Sequence, residues 1–525
     1  MKRTIPYLTK QNGQTLLMVD EAPFVILGGE LHNSSASDLS YLENHVWPGL
    51  RRLGGNCYLV PVYWECLEPE QGVYDYTLVD GVIRQARREG VRLVLLWFGL
   101  WKNGGSSYTP AWIKTDPSYF YMEKPDGRYA ESVSPFCAKA VEADKTAFCR
   151  LMSHLKETDE ERTVIMIQVE NEVGCWGFPR DYSAPAEAAF RSAVPAAVVA
   201  VKGGQGLTWQ EAEAVYGTDT AAYFMAWALG SAIGRIAAAG KEIYPLPMFM
   251  NCVPDFMPLS NLPGACPSGG PIPKVQDIYR TVAPAIDLYG PDIYAPIFRT
   301  ISDVFAAENA LVIPETAQGK DCVSKALYAA AAHNLVCFSP FGIDGMMNGL
   351  SEADALSQMN VHAAPEQEMG RENLAMAYRL LAELMEEIRT AQREHRIWAF
   401  YQQGLGDQFV LEDYLITVTY DGMELSDDAV MPVSAPGGPG PADAPAGGGF
   451  ILRRQDGSFL VCGVSCNIKI QPEFGGQGQV FVLRRQQLQL TERGLVPGRI
   501  LNGDELNHIA LGYRLDVQTL SFYRR

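Results

Sequence analysis

The chain has 525 residues, 47% hydrophobic and 10% aromatic, the make-up of an ordinary globular protein long enough for two or three domains. Its net charge of −18 opposes nucleic acid and anionic membrane surfaces, so neither is expected as a partner. The 11 cysteines are odd in number, scattered and never spaced Cys-x-x-Cys, which excludes zinc-ribbon and thioredoxin-type motifs and makes the reduced cytoplasm the expected compartment.

No apolar run follows Met1-Lys2-Arg3, so no secretory signal is expected, and no stretch approaches the roughly 18 apolar residues of a membrane span. From residue 22 to about 350 the chain alternates strand-like and helix-like runs. Phe24 to Glu30 reads as a first strand and Leu39 to Leu53 as its helix; Asn56 to Val62 reads as a second strand. Leu78, Val79, Val82, Ile83 and Ala86 then mark one apolar helical face. Val91 to Phe98 and Val164 to Val169 predict strands three and four. Leu246 to Asn251, Leu288 to Tyr294, Leu311 to Pro314 and Leu335 to Ser339 complete a set of eight. That order predicts an α/β fold, a (β/α)8 TIM barrel, over residues 1–365.

The longest insertion, Cys175 to about Thr220, leaves strand four and is expected to shape the mouth of the barrel; Thr208-Trp209-Gln210-Glu211 within it is a capping box. Residues 366–395 carry an apolar stripe (Leu374, Tyr378, Leu381, Met385, Ile388) and read as a packed linker helix. Short alternating strands from Trp398 onward predict an all-β sandwich over 396–525. The Pro-, Gly- and Ala-rich run from Met431 to Gly449 reads as a surface loop.

Two acids stand out against this frame. Glu172 follows the run Val164 to Val169 and Asn171, and Glu315 follows Leu311-Val312-Ile313-Pro314. A β-branched run ending at a carboxylate delivers that acid to the C-terminal mouth of a buried strand. Two such acids about 5–5.5 Å apart are what glycoside hydrolysis with retention requires, one as nucleophile and one as acid/base. Glu170, between them and the strand, points the other way by alternation and reads as structural.

Asn171-Glu172 after one strand, with Glu315 ending a later one, resembles the retaining (β/α)8 glycosidase superfamily. The resemblance implies Glu172 as acid/base, Glu315 as nucleophile and Asn171 as a donor to the sugar 2-hydroxyl. Pro61-Val62-Tyr63-Trp64-Glu65, Glu68-Pro69 and Gly72-Val73-Tyr74-Asp75-Tyr76 resemble the block after strand two in β-galactosidases of glycoside hydrolase families 35 and 42. Gln168 to Gly174 is close to the family 35 form of the acid/base block, and the likeness spans about residues 20 to 350. The C-terminal part is similar to the β-sandwich of a bacterial subgroup of family 35. The usual Arg-Pro-Gly-Pro-Tyr block of strand three is replaced by Leu96 to Gly104, while Thr109-Pro110-Ala111-Trp112 resembles family 42.

Trp101, Lys102 and Asn103 are therefore the candidate sugar contacts from strand three, an aromatic face with two donors, or else loop packing and a solvated lysine. Tyr63 is carried over with the strand-two block. Glu30 and His32 after strand one either reach the cavity or form a structural pair; Glu65 either binds hydroxyls or pairs with Lys102. Tyr294 is the tyrosine expected near the nucleophile, and Trp176 either stacks on the aglycone or caps its loop. No metal motif, dinucleotide fingerprint or phosphate loop is present, so no cofactor is expected. The resemblance implies a retaining exo-β-galactosidase. The alternatives are the same mechanism on a β-glucoside, β-xyloside, β-galacturonide or β-fucoside, or a carbohydrate-binding barrel without turnover. A carbohydrate substrate is the expected partner, and a homo-oligomer is expected because neighbouring subunits often complete such pockets.

Overall fold

The computed structural model describes residues 3–255, 262–308, 310–348, 368–411, 414–420, 423–425, 430–432, 444–472, 478–506 and 509–525. Its centre is a parallel sheet of eight runs: β1 (Ile26–Glu30), β2 (Cys57–Tyr63), β3 (Arg92–Lys102), β4 (Val164–Asn171), β5 (Met248–Cys252), β6 (Leu288–Ile293), β7 (Leu311–Ile313, resumed at Glu315–Thr316) and β8 (Leu335–Phe338). All of their residues except Arg92 are buried, which is why these runs read as unbroken apolar stretches instead of alternating ones. Neighbours in sequence are neighbours in space, from β8 beside β1 round to β6. Closure falls on β7. Its first half pairs with β8 and its second half with β6, with Asp292 opposite Glu315. Pro314 lies between the halves and has no N–H to give the ladder, so the strand can change partners there.

β3 runs four residues past its predicted end. Its pairing with β4 slips between Trp97 and Lys102, and two buried acids take over the freed amides. Leu100 N–H donates to Asp144 at 2.9 Å and Trp101 N–H to Glu170 at 2.7 Å. Gly99 allows this approach, since a Cβ there would sit 2.6 Å from Asp144 and 2.8 Å from Glu170. The structural reading of Glu170 agrees with this arrangement. The extra length brings Lys102 to the barrel mouth and ends in a tight turn, with Asn103 and Gly104 both left-handed at φ 53° and 65°. Asn-Gly is the usual pair for such a turn.

The insertion after β4 forms three short helices, Ala184–Phe190, Ala196–Lys202 and Trp209–Tyr216, the last opened by the expected capping box at Thr208. One expectation needs correcting. The helical run Trp209–Ile243 is long and apolar enough by composition to cross a membrane. However, 67% of its most apolar window is buried. Its Thr220–Ile243 part packs on the helix Ala138–Thr158, where Gly240 lies against Phe148, so packing within the barrel wall accounts for its apolarity.

Before the barrel, Tyr7–Gln11, Gln14–Val19 and Ala22–Phe24 form an antiparallel meander that the sequence reading did not assign. After it, the helix Glu368–Arg393 buries Leu374, Tyr378, Leu381, Met385 and Ile388, and Tyr378 donates its hydroxyl to Gly28 of β1 at 2.7 Å. The C-terminal part holds a six-stranded and a four-stranded antiparallel sheet among the described residues. Strand alternation divides the larger sheet: Phe450, Leu452, Leu460 and Cys462 join the barrel-side core, while Ile451, Phe459 and Val461 join Phe409, Ile416 and Ile468 of the smaller sheet. Most of the Pro-, Gly- and Ala-rich run read as a surface loop lies outside the described residues.

Candidate active site

The ends of β3, β4, β5, β6 and β7 converge on one carboxyl cluster. Glu172 follows β4 in a left-handed conformation (φ 44°) and is held by its own N–H, which donates to Asn251 Oδ1 at 3.0 Å. Glu315 opens the second half of β7 and accepts three hydrogen bonds. Asn171 Nδ2 and Asn251 Nδ2 reach its Oε1 at 3.2 and 3.3 Å, and the Tyr294 hydroxyl reaches Oε2 at 2.5 Å. Lys102 Nζ donates to Asn171 Oδ1 at 2.8 Å, which fixes that amide with its N–H groups toward Glu315. One oxygen each from Glu172, Asp292 and Glu315 lie within 4.8 Å of one another. By spacing alone a cation could bridge them. The amide donors on Glu315 and the ammonium of Lys102 make the donor set that of carboxyl chemistry.

Burial and like charge set the protonation states. Desolvation first and the Glu315 charge second push Glu172 up to about 7, against the pull of Lys102 and a hydrogen bond with Asp292. Asp292 is raised well above the usual carboxyl range by burial, then by Glu315 and Glu172. Burial also raises Glu30, with Glu315 adding to it and Lys102 opposing it. For Lys102, burial pulls downward but the surrounding acids, Glu315 foremost, outweigh it and the ammonium is held above its ordinary value. Burial and Glu315 together keep Tyr294 a phenol, so it donates.

The sequence-predicted residues divide into groups. Glu172, Glu315, Asn171, Lys102 and Tyr294 come together. Tyr63 forms part of an aromatic wall, stacked on Tyr108 at 5.7 Å, and its hydroxyl accepts from the Ala36 amide at 3.2 Å. The Phe98 ring of the same wall lies 5.0 Å from Lys102 Nζ. Asn103 is exposed in the turn, and its backbone N–H donates to Asn171 O at 3.1 Å. Trp176 is 43% exposed and lies over Gly104 of that turn, at the rim.

Three expectations are corrected. Trp101 is fully buried and its indole N–H donates to Val133 O at 2.9 Å; it follows the bulge and faces away from Lys102, so it offers no face to a sugar. Glu65 is exposed and pairs with Lys114 at 3.2 Å, not with Lys102. Both carboxylate oxygens of Glu30 are shut off from solvent and receive no hydrogen bond among the described residues, so it acts on the cluster through charge and not through sugar contact. His32 takes the structural alternative: its Nδ1 lies 2.9 Å from Asp344, which also accepts from Ser35 at 2.6 Å.

Asn251 and Asp292 escaped the sequence reading. Each is a polar residue at the end of an apolar run that had been read as a strand, and Asp292 stands two residues before Tyr294, on the same face by alternation.

Comparisons with known proteins bear on the fold and not on these residues. Residues 16–232 match the family described as Glycosyl hydrolases family 35, and residues 374–511 match a domain of unknown function, DUF5597. No curated protein matches the chain. Among solved structures, a β-galactosidase from Bacillus circulans sp. alkalophilus superimposes with a TM-score of 0.50 at 11% identity, over 95% of this chain and 99% of that one. The catalytic domain of a β-amylase from Paenibacillus polymyxa matches with a TM-score of 0.48 at 13% identity, over 65% of this chain and 99% of that one. At 11% identity the first likeness bears on the fold, a TIM barrel followed by β domains. The first half of the barrel is thus similar to glycosyl hydrolases family 35, which, on a TIM-barrel fold, supports a glycoside hydrolase.

Proposed function

We propose that the chain is an exo-acting retaining β-glycosidase that removes terminal β-D-galactosyl groups. The observation that carries the mechanism is the separation of the two acids: oxygens of Glu172 and Glu315 within 4.8 Å, on strand ends of one barrel mouth. Retaining enzymes need carboxyls about 5–5.5 Å apart, whereas inverting ones need about 6.5–9.5 Å to admit a water. Glu315, fixed by three donors, attacks the anomeric carbon. Glu172, protonated below about pH 7, gives its proton to the departing glycosidic oxygen. Ionised Glu172 then takes a proton from water as that water displaces Glu315 from the anomeric carbon. Asn171, oriented by Lys102, stands beside Glu315 where the 2-hydroxyl of the sugar would lie.

The galactose preference rests on the family 35 match and on the Pro61 to Tyr76 block, which resembles that of β-galactosidases. A β-galacturonide fits less well, because its carboxylate would join Glu30, Glu172, Asp292 and Glu315 around Lys102. A panel of nitrophenyl glycosides, with proton NMR of the first-formed anomer, tests the reading. Release of β-galactose from β-galactosides at the highest specificity constant supports it. Inverted product rejects the mechanism, and outright preference for another sugar rejects the galactose assignment.

A further inference from the structure

Asp292 is the buried acid in the cluster that the double displacement does not use. Its Oδ2 accepts from Asn251 Nδ2 at 2.8 Å, while its Oδ1 is enclosed and has no donor against it among the described residues. A buried carboxylate oxygen without a donor is costly, and the cost is removed when that oxygen carries the proton itself. The groups facing Asp292 come from every strand end around it. They are Glu30 on β1, Lys102 on β3, Glu172 after β4, Cys252 on β5, Tyr294 after β6 and Glu315 on β7. Of these, Lys102, Tyr294 and Cys252 have no oxygen that would accept as a carboxylate does. Glu315 is already occupied by Asn171, Asn251 and Tyr294. Glu30 reaches Asp292 through charge alone, which leaves Glu172 as the acceptor, with one oxygen within 4.8 Å of one on Asp292 and a side-chain hydrogen bond between the two.

We propose that Asp292 is a positioning residue that keeps a proton on Oδ1 through the whole turnover and donates it in a hydrogen bond to Glu172. The inference rests on the acid/base reading of Glu172 given above. Asn251 links the parts: its Oδ1 receives the Glu172 amide, and its Nδ2 spans Asp292 and Glu315. When Glu172 gives its proton to the glycosidic oxygen, the carboxylate left behind is met by a neutral donor instead of a second anion. When Glu172 later takes a proton from water, Asp292 still holds its own, so no net proton passes through it. The pair thus fixes the direction of the Glu172 carboxyl without trapping the proton that must leave.

Two variants and one spectroscopic measurement test this. Asp292→Asn keeps a neutral N–H donor toward Glu172 and a carbonyl that accepts from Asn251. Its alkaline limb in kcat/KM should stay within about half a pH unit of wild type, with kcat within several-fold. Asp292→Ala removes the donor that holds Glu172 down, so its alkaline limb should move upward and its kcat should fall about tenfold or more, with KM little changed. A downward shift in Asp292→Asn would show that an ionised Asp292 acts by charge, and identical behaviour of the two variants would remove the donor role; either overturns the proposal. Thermal melting identifies an Ala variant that does not fold, in which case the Asn profile decides alone. Infrared difference spectra serve independently of activity. Wild type minus Asp292→Asn should show a protonated-carboxyl carbonyl stretch that persists at mildly alkaline pH, and its absence overturns the proposal. Wild type inactive on every glycoside in the panel would instead reject the functional reading and leave the infrared result to judge the Asp292 proton.

Discussion

Tyr294 donates its hydroxyl to Oε2 of Glu315 at 2.5 Å, from the end of the strand that pairs with the second half of β7. The residue is 49% exposed while its hydroxyl is turned onto Glu315, so Tyr294 stands at the approach to that acid. A hydrogen bond to a charged group is worth about 1.5–3 kcal/mol, and this one both aims the carboxylate and must loosen as Glu315 becomes an ester. Tyr294→Phe should therefore lower kcat/KM by roughly 10- to 100-fold with an unchanged melting temperature. Steady-state kinetics beside a thermal melt checks both halves.

The pH profile follows from the direction in which Glu172 is moved. Its carboxyl is raised to about 7, so the proton needed by the leaving group is present below that pH and lost above it. Activity should fall along an alkaline limb near 7. Lys102 opposes the rise, so Lys102→Met should carry the limb upward while weakening binding through the loss of support for Asn171. Profiles of kcat/KM for the two proteins measure the displacement, and a limb that moves down in Lys102→Met would contradict this electrostatic account.

Glu30 gives a stability prediction of definite sign. Its folded-state pKa is raised, chiefly by burial, so ionisation is easier in the unfolded chain. Its contribution to stability is intact below the ordinary carboxyl range and is lost as pH rises from there toward the folded value. Glu30→Gln keeps the shape and abolishes that titration. The variant should match wild type in acid and gain on it by about 1.4 kcal/mol for each pH unit of that window. Melting temperatures at acidic, neutral and alkaline pH would show the gap opening with pH, and a constant gap would contradict it.

Much of this was legible because barrel strands buried on both faces leave apolar runs of strand length, and the acids follow those runs directly. The turns were harder to read. Gln11-Asn12-Gly13-Gln14 and Lys102-Asn103-Gly104-Gly105 both carry Asn-Gly in left-handed conformation, and both hairpins went unassigned. Missing the second made Trp101, Lys102 and Asn103 look like three contacts in a row, although consecutive strand residues cannot face one cavity. The Glu65 pairing with Lys114 and the closure of β7 at Pro314 depend on tertiary placement, which residue order alone does not encode.

The Asn103 turn gives a prediction of its own. A left-handed φ of 53° suits Asn and Gly and strains a β-branched residue. Asn103→Gly should retain activity and stability. Asn103→Val should lower the melting temperature and also kcat/KM, because the turn it distorts holds Lys102 in place. Equal behaviour of the two variants would show that the Asn103 side chain, and not its backbone conformation, is what matters.

The central claim is that Glu315 forms a covalent bond to the sugar. An activated 2-deoxy-2-fluoro-β-galactoside slows both steps of a retaining reaction but slows hydrolysis of the intermediate more, so the glycosyl-enzyme accumulates. Incubation with the protein, proteolysis and peptide mass spectrometry should place one fluorogalactosyl group on Glu315, with no label in Glu315→Gln. A label on Glu172, on Asp292 or on any other residue, or inactivation without a covalent adduct, would contradict it.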